Sequence, residues 1–129
     1  MTRGNLHFPI EKNCLVDVLS DRGLASLGDA YVNFVFSLAL SDVKHKPLGV
    51  RVKGSLLAEA LRKAELRNLL GSRMSRHDLA DAAEALLVYG WLNNCLALDE
   101  CVKVLTENRD LDEGLRILLE RVKKKATFP

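Results

Sequence analysis

Apolar side chains recur three and four residues apart along most of this chain, the spacing that places them on one face of a helix. We expect a first helix after Pro9, which suits a first helical turn, and we expect Gly23 to weaken or end that helix. A second helix is expected over about residues 27–41, apolar almost all round. Residues 42–54 contain Pro47 and two glycines and are expected to form a loop.

Capping signals predict further helices in the rest of the chain. Ser55 can cap a third helix that ends near Gly71. Ser75, with Asp78 three residues later, resembles the capping box of a fourth helix that reaches about Asn94. The pattern therefore predicts that the fourth helix is long and carries its own start signal.

Two more helices complete the predicted fold. An apolar stripe that begins at Leu98 predicts a fifth helix, and Asp110 with Glu113 can cap a sixth. Aromatic residues make up only 5% of the chain, and strong helix formers dominate it, which nearly excludes a β-sandwich or barrel. The expected fold class is all-α, with about six helices.

The length and the apolar content indicate one folded domain over residues 1–129. The chain weighs 14.3 kDa and is 48% hydrophobic, which is enough to bury a core. The N-terminal segment lacks the apolar stretch of a signal peptide, and no segment is expected to span a membrane, so we expect a cytoplasmic protein. Cys14, Cys95 and Cys101 are expected to be buried, free cysteines rather than zinc ligands.

The net charge of +2 conceals two oppositely charged blocks. Residues 44–77 contain nine Lys or Arg against two acids, a net charge of +7. Residues 78–115 contain nine acids against two basic residues, a net charge of −7. Both blocks can be ordinary solvated helix faces, or the first can be a phosphate-binding face beside an acidic site.

Carboxylates occur on helices that should be buried. Asp29, Asn33 and Ser37 are spaced four apart and form a polar seam along the second helix. In the fourth helix, Asp81 and Glu84 are spaced three apart and project from one face, where their like charges repel. An ionised carboxylate in such a place is costly unless it is paired, hydrogen-bonded or bound to a metal.

Two interpretations of these acids stay open. They can lie at helix edges and face solvent. Alternatively, three carboxylates from two helices converge on one or two hard cations, Mg²⁺ or Mn²⁺. A metal site of this kind suits phosphodiester hydrolysis, because the metal lowers the pKa of a bound water and stabilises charge on the phosphate oxygens.

Two motifs in this order resemble the ribonuclease III catalytic domain. Leu27-Gly28-Asp29-Ala30 matches the end of the family signature, and Asn33 and Ser37 extend it. Residues 80–85 match the ADxxEA motif of the family, and residues 54–62 are loosely similar to its middle region. The resemblance covers about residues 15–92 and leaves residues 95–125 as extra C-terminal helices. In size and middle segment the chain is most similar to small stand-alone ribonuclease III-like proteins of archaea.

The resemblance implies roles for single residues. It makes Asp29, Asp81 and Glu84 the catalytic carboxylates and metal ligands, and it implies a homodimer with one site in each subunit. The family has a glutamate one turn before the signature aspartate, where this chain has Ala25. That substitution calls two-metal binding, or the metal affinity, into question. No double-stranded RNA-binding domain is expected to follow.

The basic block then becomes the expected grip on double-stranded RNA, through phosphate and 2′-hydroxyl contacts. The best candidates for these contacts are Lys53, Arg62, Lys63, Arg67, Arg73 and Arg76. The favoured hypothesis is a divalent-metal-dependent endoribonuclease that cuts double-stranded or structured RNA. Because of Ala25, a non-catalytic RNA-binding or ribonucleoprotein component that keeps the fold is the alternative. A helical dimerisation module without an RNA role is a third hypothesis, and it leaves Asp81 and Glu84 unexplained.

Overall fold

The structure, a computed structural model, describes residues 5–129 and consists of helices joined by short loops. No strand occurs within this range, and the prediction of an all-α fold with about six helices is confirmed. In chain order the helices are α1 (Leu15–Leu19), α2 (Arg22–Lys44), α3 (Gly54–Lys63), α4 (Arg76–Leu92), α5 (Leu98–Glu107) and α6 (Leu111–Lys125), with a 3₁₀ turn at Arg67–Leu69.

The start of α2 differs most from the sequence prediction. The first helix is only five residues long, and α2 begins at Arg22, so Gly23 lies in its first turn instead of ending α1. Asp21 is the reason, because its carboxylate accepts a hydrogen bond from the Leu24 amide (2.8 Å) and also pairs with Lys12. An N-cap of this kind stabilises the first turn of a helix even when that turn contains a glycine.

The caps of the later helices agree with the prediction only in part. The capping box of α4 is confirmed, with Ser75 and Asp78 exchanging side-chain and backbone hydrogen bonds of 3.0 and 3.1 Å. In contrast, α3 begins one residue before Ser55 and ends at Lys63, well before Gly71. Asp110 occupies the N-cap position of α6 but makes no capping hydrogen bond with its side chain.

The core is centred on α4, which is buried on nearly all sides between α2, α3 and α6. Two glycines allow the closest approaches. A Cβ atom on Gly28 of α2 would lie 2.1 Å from the carbonyl oxygen of Glu84, and one on Gly90 of α4 would lie 2.4 Å from a methyl group of Val122 on α6. The backbones of α2 and α4 therefore touch at the position where the acidic residues lie.

The surface of α2 is not buried all round within the single chain. Leu27 and Phe34 are 44% and 54% exposed on one stripe of the helix, and Val43 is exposed near its end. By length and apolar content alone α2 could cross a membrane, a criterion that core helices also meet. A third of its most apolar window is buried inside this fold.

The cysteines follow the prediction except at the N-terminal end. Cys95 and Cys101 are buried and free, and the Cys101 sulfur lies 3.4 Å from the Tyr31 hydroxyl. Cys14 is exposed, contrary to expectation. It is the N-cap residue of the five-residue helix α1.

Candidate active site

A cleft of about 420 Å³ opens between α2, α4 and the chain that leads into α3, and we call it the carboxylate cleft. Asp29, Asp81 and Glu84 all line it, so the fold brings together the three acids that the sequence analysis selected. The remaining lining residues are Arg22, Ala25, Ser26, Arg51, Val52, Gly54, Leu57, His77 and Ala80.

Glu84 is the deepest of the three acids. It is 6% exposed and is the one charged side chain that is buried within residues 5–129. Burial raises the pKa of its carboxyl group to about 8, and the contact with Asp29 and the negative charges of Asp29 and Asp81 add to the rise. Arg51 lowers that pKa, but as a smaller effect. A protonated Glu84 can donate its hydrogen bond to Asp29.

The other two carboxylates lie at the rim of the cleft. The side chain of Asp29 is 50% exposed and lies 3.7 Å from the Arg51 guanidinium. Asp81 is 43% exposed and lies 3.6 Å from His77, one turn earlier on α4. Both separations are near the upper limit for an ion pair and all four groups are solvated, so each partner holds its carboxylate only weakly.

The donor chemistry of the cleft suits a hard divalent cation, since all three acids offer carboxylate oxygens and Glu84 is buried without an ion pair among residues 5–129. The side chains are not already arranged as a ligand cluster. Within the described range, no group of three His, Cys, Asp or Glu residues is placed to hold a metal. Asp29 contacts both Glu84 and Arg51, while Asp81 lies beside His77.

Ala25 occupies the position at which the resemblance implies a fourth carboxylate. It is one turn before Asp29 on α2, and its methyl group is half-buried in the lining of the cleft. A side chain at this position therefore faces the acids. In this chain that part of the lining is apolar.

The polar seam has two functions rather than one. Asp29 faces the cleft, but Asn33, Ser37 and, one turn beyond the seam, Ser41 hold residues 48–52, an extended segment that we call the strap. Each accepts a hydrogen bond from an alternate backbone amide of the strap: Asn33 from Val52 (2.7 Å), Ser37 from Val50 (2.9 Å) and Ser41 from Leu48 (2.8 Å).

The repeat lengths of helix and extended chain explain this match. Four residues of α-helix advance about 6 Å, and two residues of extended chain advance about 6.6 Å. Side chains four apart on α2 therefore meet every second amide of the strap. The strap places Arg51 at the cleft, a residue that the sequence analysis missed, since no local signal relates position 33 to position 52.

The six predicted RNA-binding residues divide into two groups, and none of them lines the carboxylate cleft. Lys53, Arg73 and Arg76 are exposed and form no ion pair within residues 5–129. The other three have protein partners: Arg62 pairs with Glu59 (3.2 Å), Lys63 with Asp112 (2.7 Å), and Arg67 donates to the carbonyl groups of Leu70, Gly71 and Ser72.

Much of the acidic block is used locally. Asp78, Asp99, Glu100, Asp112 and Glu113 lie in the first turns of α4, α5 and α6. Carboxylates at these positions stabilise the positive end of the helix dipole. Of the other four acids in this block, Asp110 is the N-cap residue of α6, Glu107 lies at the end of α5, and Asp81 and Glu84 line the carboxylate cleft.

Comparison with known families agrees with the geometry. The family model described as Ribonuclease III matches residues 22–127, which include α2 through α6 and all three cleft carboxylates. No curated protein sequence matches the chain. Since the matched segment spans most of its length, the chain belongs to the ribonuclease III family.

Proposed function

We propose that this protein is a divalent-metal-dependent endoribonuclease that cuts double-stranded or structured RNA. Membership of the family supports an RNA-processing endoribonuclease at the family level. The observation that carries the finer proposal is the carboxylate cleft, where Glu84 is buried beside Asp29 and Asp81. Three acids that converge on a cleft without a buried base need a cation when they are ionised.

Asp29, Asp81 and Glu84 would hold Mg²⁺ or Mn²⁺, since both ions prefer carboxylate oxygens. When bound, such an ion would supply Lewis-acid activation of water and stabilise the charge that develops on the phosphate. Burial of Glu84 keeps one ligand in place, while the half-exposed Asp29 and Asp81 adjust to the ion.

RNA would be held by positive groups around the cleft. Arg22 and Arg51 line it, and the exposed Lys53, Arg73 and Arg76 extend the positive charge beyond it. Because phosphates carry the charge of RNA, these contacts would give salt-dependent binding with little sequence preference.

A homodimer is the second part of this proposal. Leu27, Ala30 and Phe34 form an exposed apolar stripe along α2, on the surface that neither α4 nor α5 covers. A contiguous apolar stripe on a small domain is typical of a protein–protein contact. Two subunits joined there would present two cleavage sites, one for each RNA strand.

A non-catalytic RNA-binding protein is the competing function. Ala25 in the cleft lining and the lack of a ready three-ligand cluster among residues 5–129 are the observations that favour it. This alternative requires RNA binding that falls with salt but no metal-dependent cleavage.

The decisive experiment compares wild type with Glu84→Gln on a double-stranded RNA in Mg²⁺ or Mn²⁺. Gln keeps the size and a donor for Asp29 but cannot ionise, so we expect cleavage to be lost while the fold is retained. Glu107→Gln is the matched control, because Glu107 is exposed on α5 outside the cleft. The control should cleave like wild type.

The outcomes separate the two functions. Loss of cleavage in Glu84→Gln alone supports the endonuclease. Equal cleavage by wild type and Glu84→Gln would point to a contaminating nuclease and refute the assignment. RNA binding without cleavage over a wide range of Mg²⁺ and Mn²⁺ concentrations would establish the non-catalytic alternative.

A further inference from the structure

Arg51 is held at the mouth of the carboxylate cleft by the strap. The Val50 and Val52 side chains on either side of it are half-buried, and their amides bond to Ser37 and Asn33. Because neighbouring side chains of extended chain point to opposite sides, Arg51 lies on the face opposite the half-buried Val50 and Val52, where its guanidinium is exposed 3.7 Å from Asp29. Its side chain is 82% exposed.

The stability of the fold does not explain this placement. The Arg51–Asp29 separation of 3.7 Å is at the long end for an ion pair, and both groups are well solvated. In contrast, the backbone beneath Arg51 is closely held, with hydrogen bonds at residues 48, 50 and 52. The strap thus combines a hydrogen-bonded backbone with an exposed guanidinium beside a cleft acid.

We propose that the strap is a substrate-positioning element that presents Arg51 to an RNA phosphate lying over the Asp29 side of the carboxylate cleft. This inference rests on the proposed function, which it deepens by naming a further residue in contact with substrate. Arg51 would be the contacting group, because a guanidinium matches phosphate oxygens with two parallel donors. Ser37 and Ser41 would be positioning residues that act only through Arg51, whereas Asn33 also donates a hydrogen bond of 3.4 Å to Asp29 and could act through either residue.

The test uses the full chain and a short RNA duplex in two assays. Binding is measured over a salt series in EDTA, where no cleavage can occur, and single-turnover cleavage is measured in Mn²⁺. The variants are Arg51→Ala, Arg51→Lys, the double variant Ser37→Ala/Ser41→Ala, and that double variant combined with Arg51→Ala. Lys103→Ala is the matched control, since Lys103 is an exposed cation on α5 outside the cleft.

We expect Arg51→Ala to weaken binding about 5- to 10-fold near 0.1 M salt and to lower the salt exponent by about one, as loss of one phosphate contact does. Arg51→Lys should keep the salt exponent and still cleave more slowly, because a lysine lacks the planar pair of donors. Lys103→Ala should change neither measurement by a comparable amount.

The combined variant tests the strap itself. If Ser37 and Ser41 act through Arg51, their replacement slows cleavage in the Arg51 background and has no further effect in Arg51→Ala. Thermal melts identify any variant that has lost its fold. Replacement of Ser37 by Thr keeps the hydroxyl group, so Ser37→Thr should retain the cleavage rate that is lost when Ser37 is replaced by Ala.

Several results would overturn the proposal. Arg51→Ala that behaves like Lys103→Ala in both assays removes Arg51 from the substrate contacts. If Ser37→Ala/Ser41→Ala slows cleavage as much in the Arg51→Ala background as in wild type, the serines only stabilise the fold. If wild type binds but does not cleave, the endonuclease assignment fails separately, and the EDTA binding comparison still decides the role of Arg51. Absence of binding refutes both.

Discussion

At the scale of single residues, the pKa of the buried Glu84 depends on the other acids of the carboxylate cleft. Its surroundings favour the protonated form, first through burial and then through Asp29 and Asp81. A group with a raised pKa in the folded state binds more protons there than in the unfolded chain. The metal-free fold must therefore lose stability as pH rises from the pKa of Glu84 in the unfolded chain to its pKa in the folded protein.

We expect the stability of the wild-type protein in EDTA to fall as pH is raised from about 5 to about 8, between the ordinary glutamate pKa of 4.5 and the folded value of about 8. Above that range the contribution of Glu84 should level off. Glu84→Gln should show a flatter profile and be more stable than wild type at pH 8, as measured by urea unfolding.

Glu107→Gln is the control for this prediction, and it should keep the wild-type pH profile because Glu107 is exposed. Parallel profiles for wild type and Glu84→Gln would show that Glu84 is ionised at little cost in the folded protein.

The residues of the site could be predicted where the unusual pattern involved only near neighbours in the sequence. Polar residues spaced four apart on α2 and two acids spaced three apart on α4 pointed to Asp29, Asp81 and Glu84, and the resemblance to the ribonuclease III family supplied their expected roles. Arg51 was missed, because a lone basic residue in a loop has no distinguishing pattern. Its importance comes from the acid beside it.

At the scale of elements, the crossing of α2 over α4 depends on Gly28. Helix propensity favours alanine over glycine inside a helix by about 1 kcal/mol. The contact with α4 has the opposite effect, because an added Cβ would lie 2.1 Å from a backbone oxygen of Glu84, and backbone cannot move as a side-chain end can. The glycine of the LGDA motif therefore serves interhelical packing.

We expect Gly28→Ala to destabilise the protein by about 1–3 kcal/mol, the usual range for an overpacked core, despite the gain in helix propensity. The separation of α2 from α4 should also reduce cleavage, because it moves Asp29 away from Glu84. Unfolding in urea and single-turnover cleavage measure the two effects.

Gly54→Ala supplies the comparison. A Cβ there would meet only the Ala80 Cβ at 3.7 Å, an ordinary contact, so this variant should be about as stable as wild type. A Gly28→Ala protein that is as stable as Gly54→Ala would contradict the packing argument.

At the scale of the whole molecule, the exposed stripe on α2 distinguishes a monomer from an assembly. One side of α2 packs on α4 and α5, and the strap runs along another. The remaining side carries Leu27, Ala30 and Phe34, whose exposure in a single chain is energetically unfavourable.

We expect the wild-type protein to be a dimer at micromolar concentration in analytical ultracentrifugation, and Phe34→Glu to be a monomer with unchanged helical content by circular dichroism. A charge in the middle of a buried apolar contact is costly to desolvate. Leu69→Glu, a similar change at an exposed residue outside the stripe, should remain dimeric. A monomeric wild type, or a dimeric Phe34→Glu, would show that the stripe is not the contact.

The sequence by itself determined the features that depend on residues within about one turn of each other. Helical periodicity, the Ser75–Asp78 capping box and the acids on apolar faces are of this kind. Their free energy comes from near neighbours, so a local pattern is sufficient to predict them.

Only the tertiary structure decided which of these features meet. Burial of Glu84 requires α2 to cross α4 at Gly28, more than fifty residues earlier in the chain. The placement of Arg51 requires Asn33 and Ser37 to accept hydrogen bonds from backbone amides of the strap, which lies beyond the end of α2. Such contacts depend on the packing of the whole core, which no window of sequence contains, and they turn three separate acids into one candidate active site.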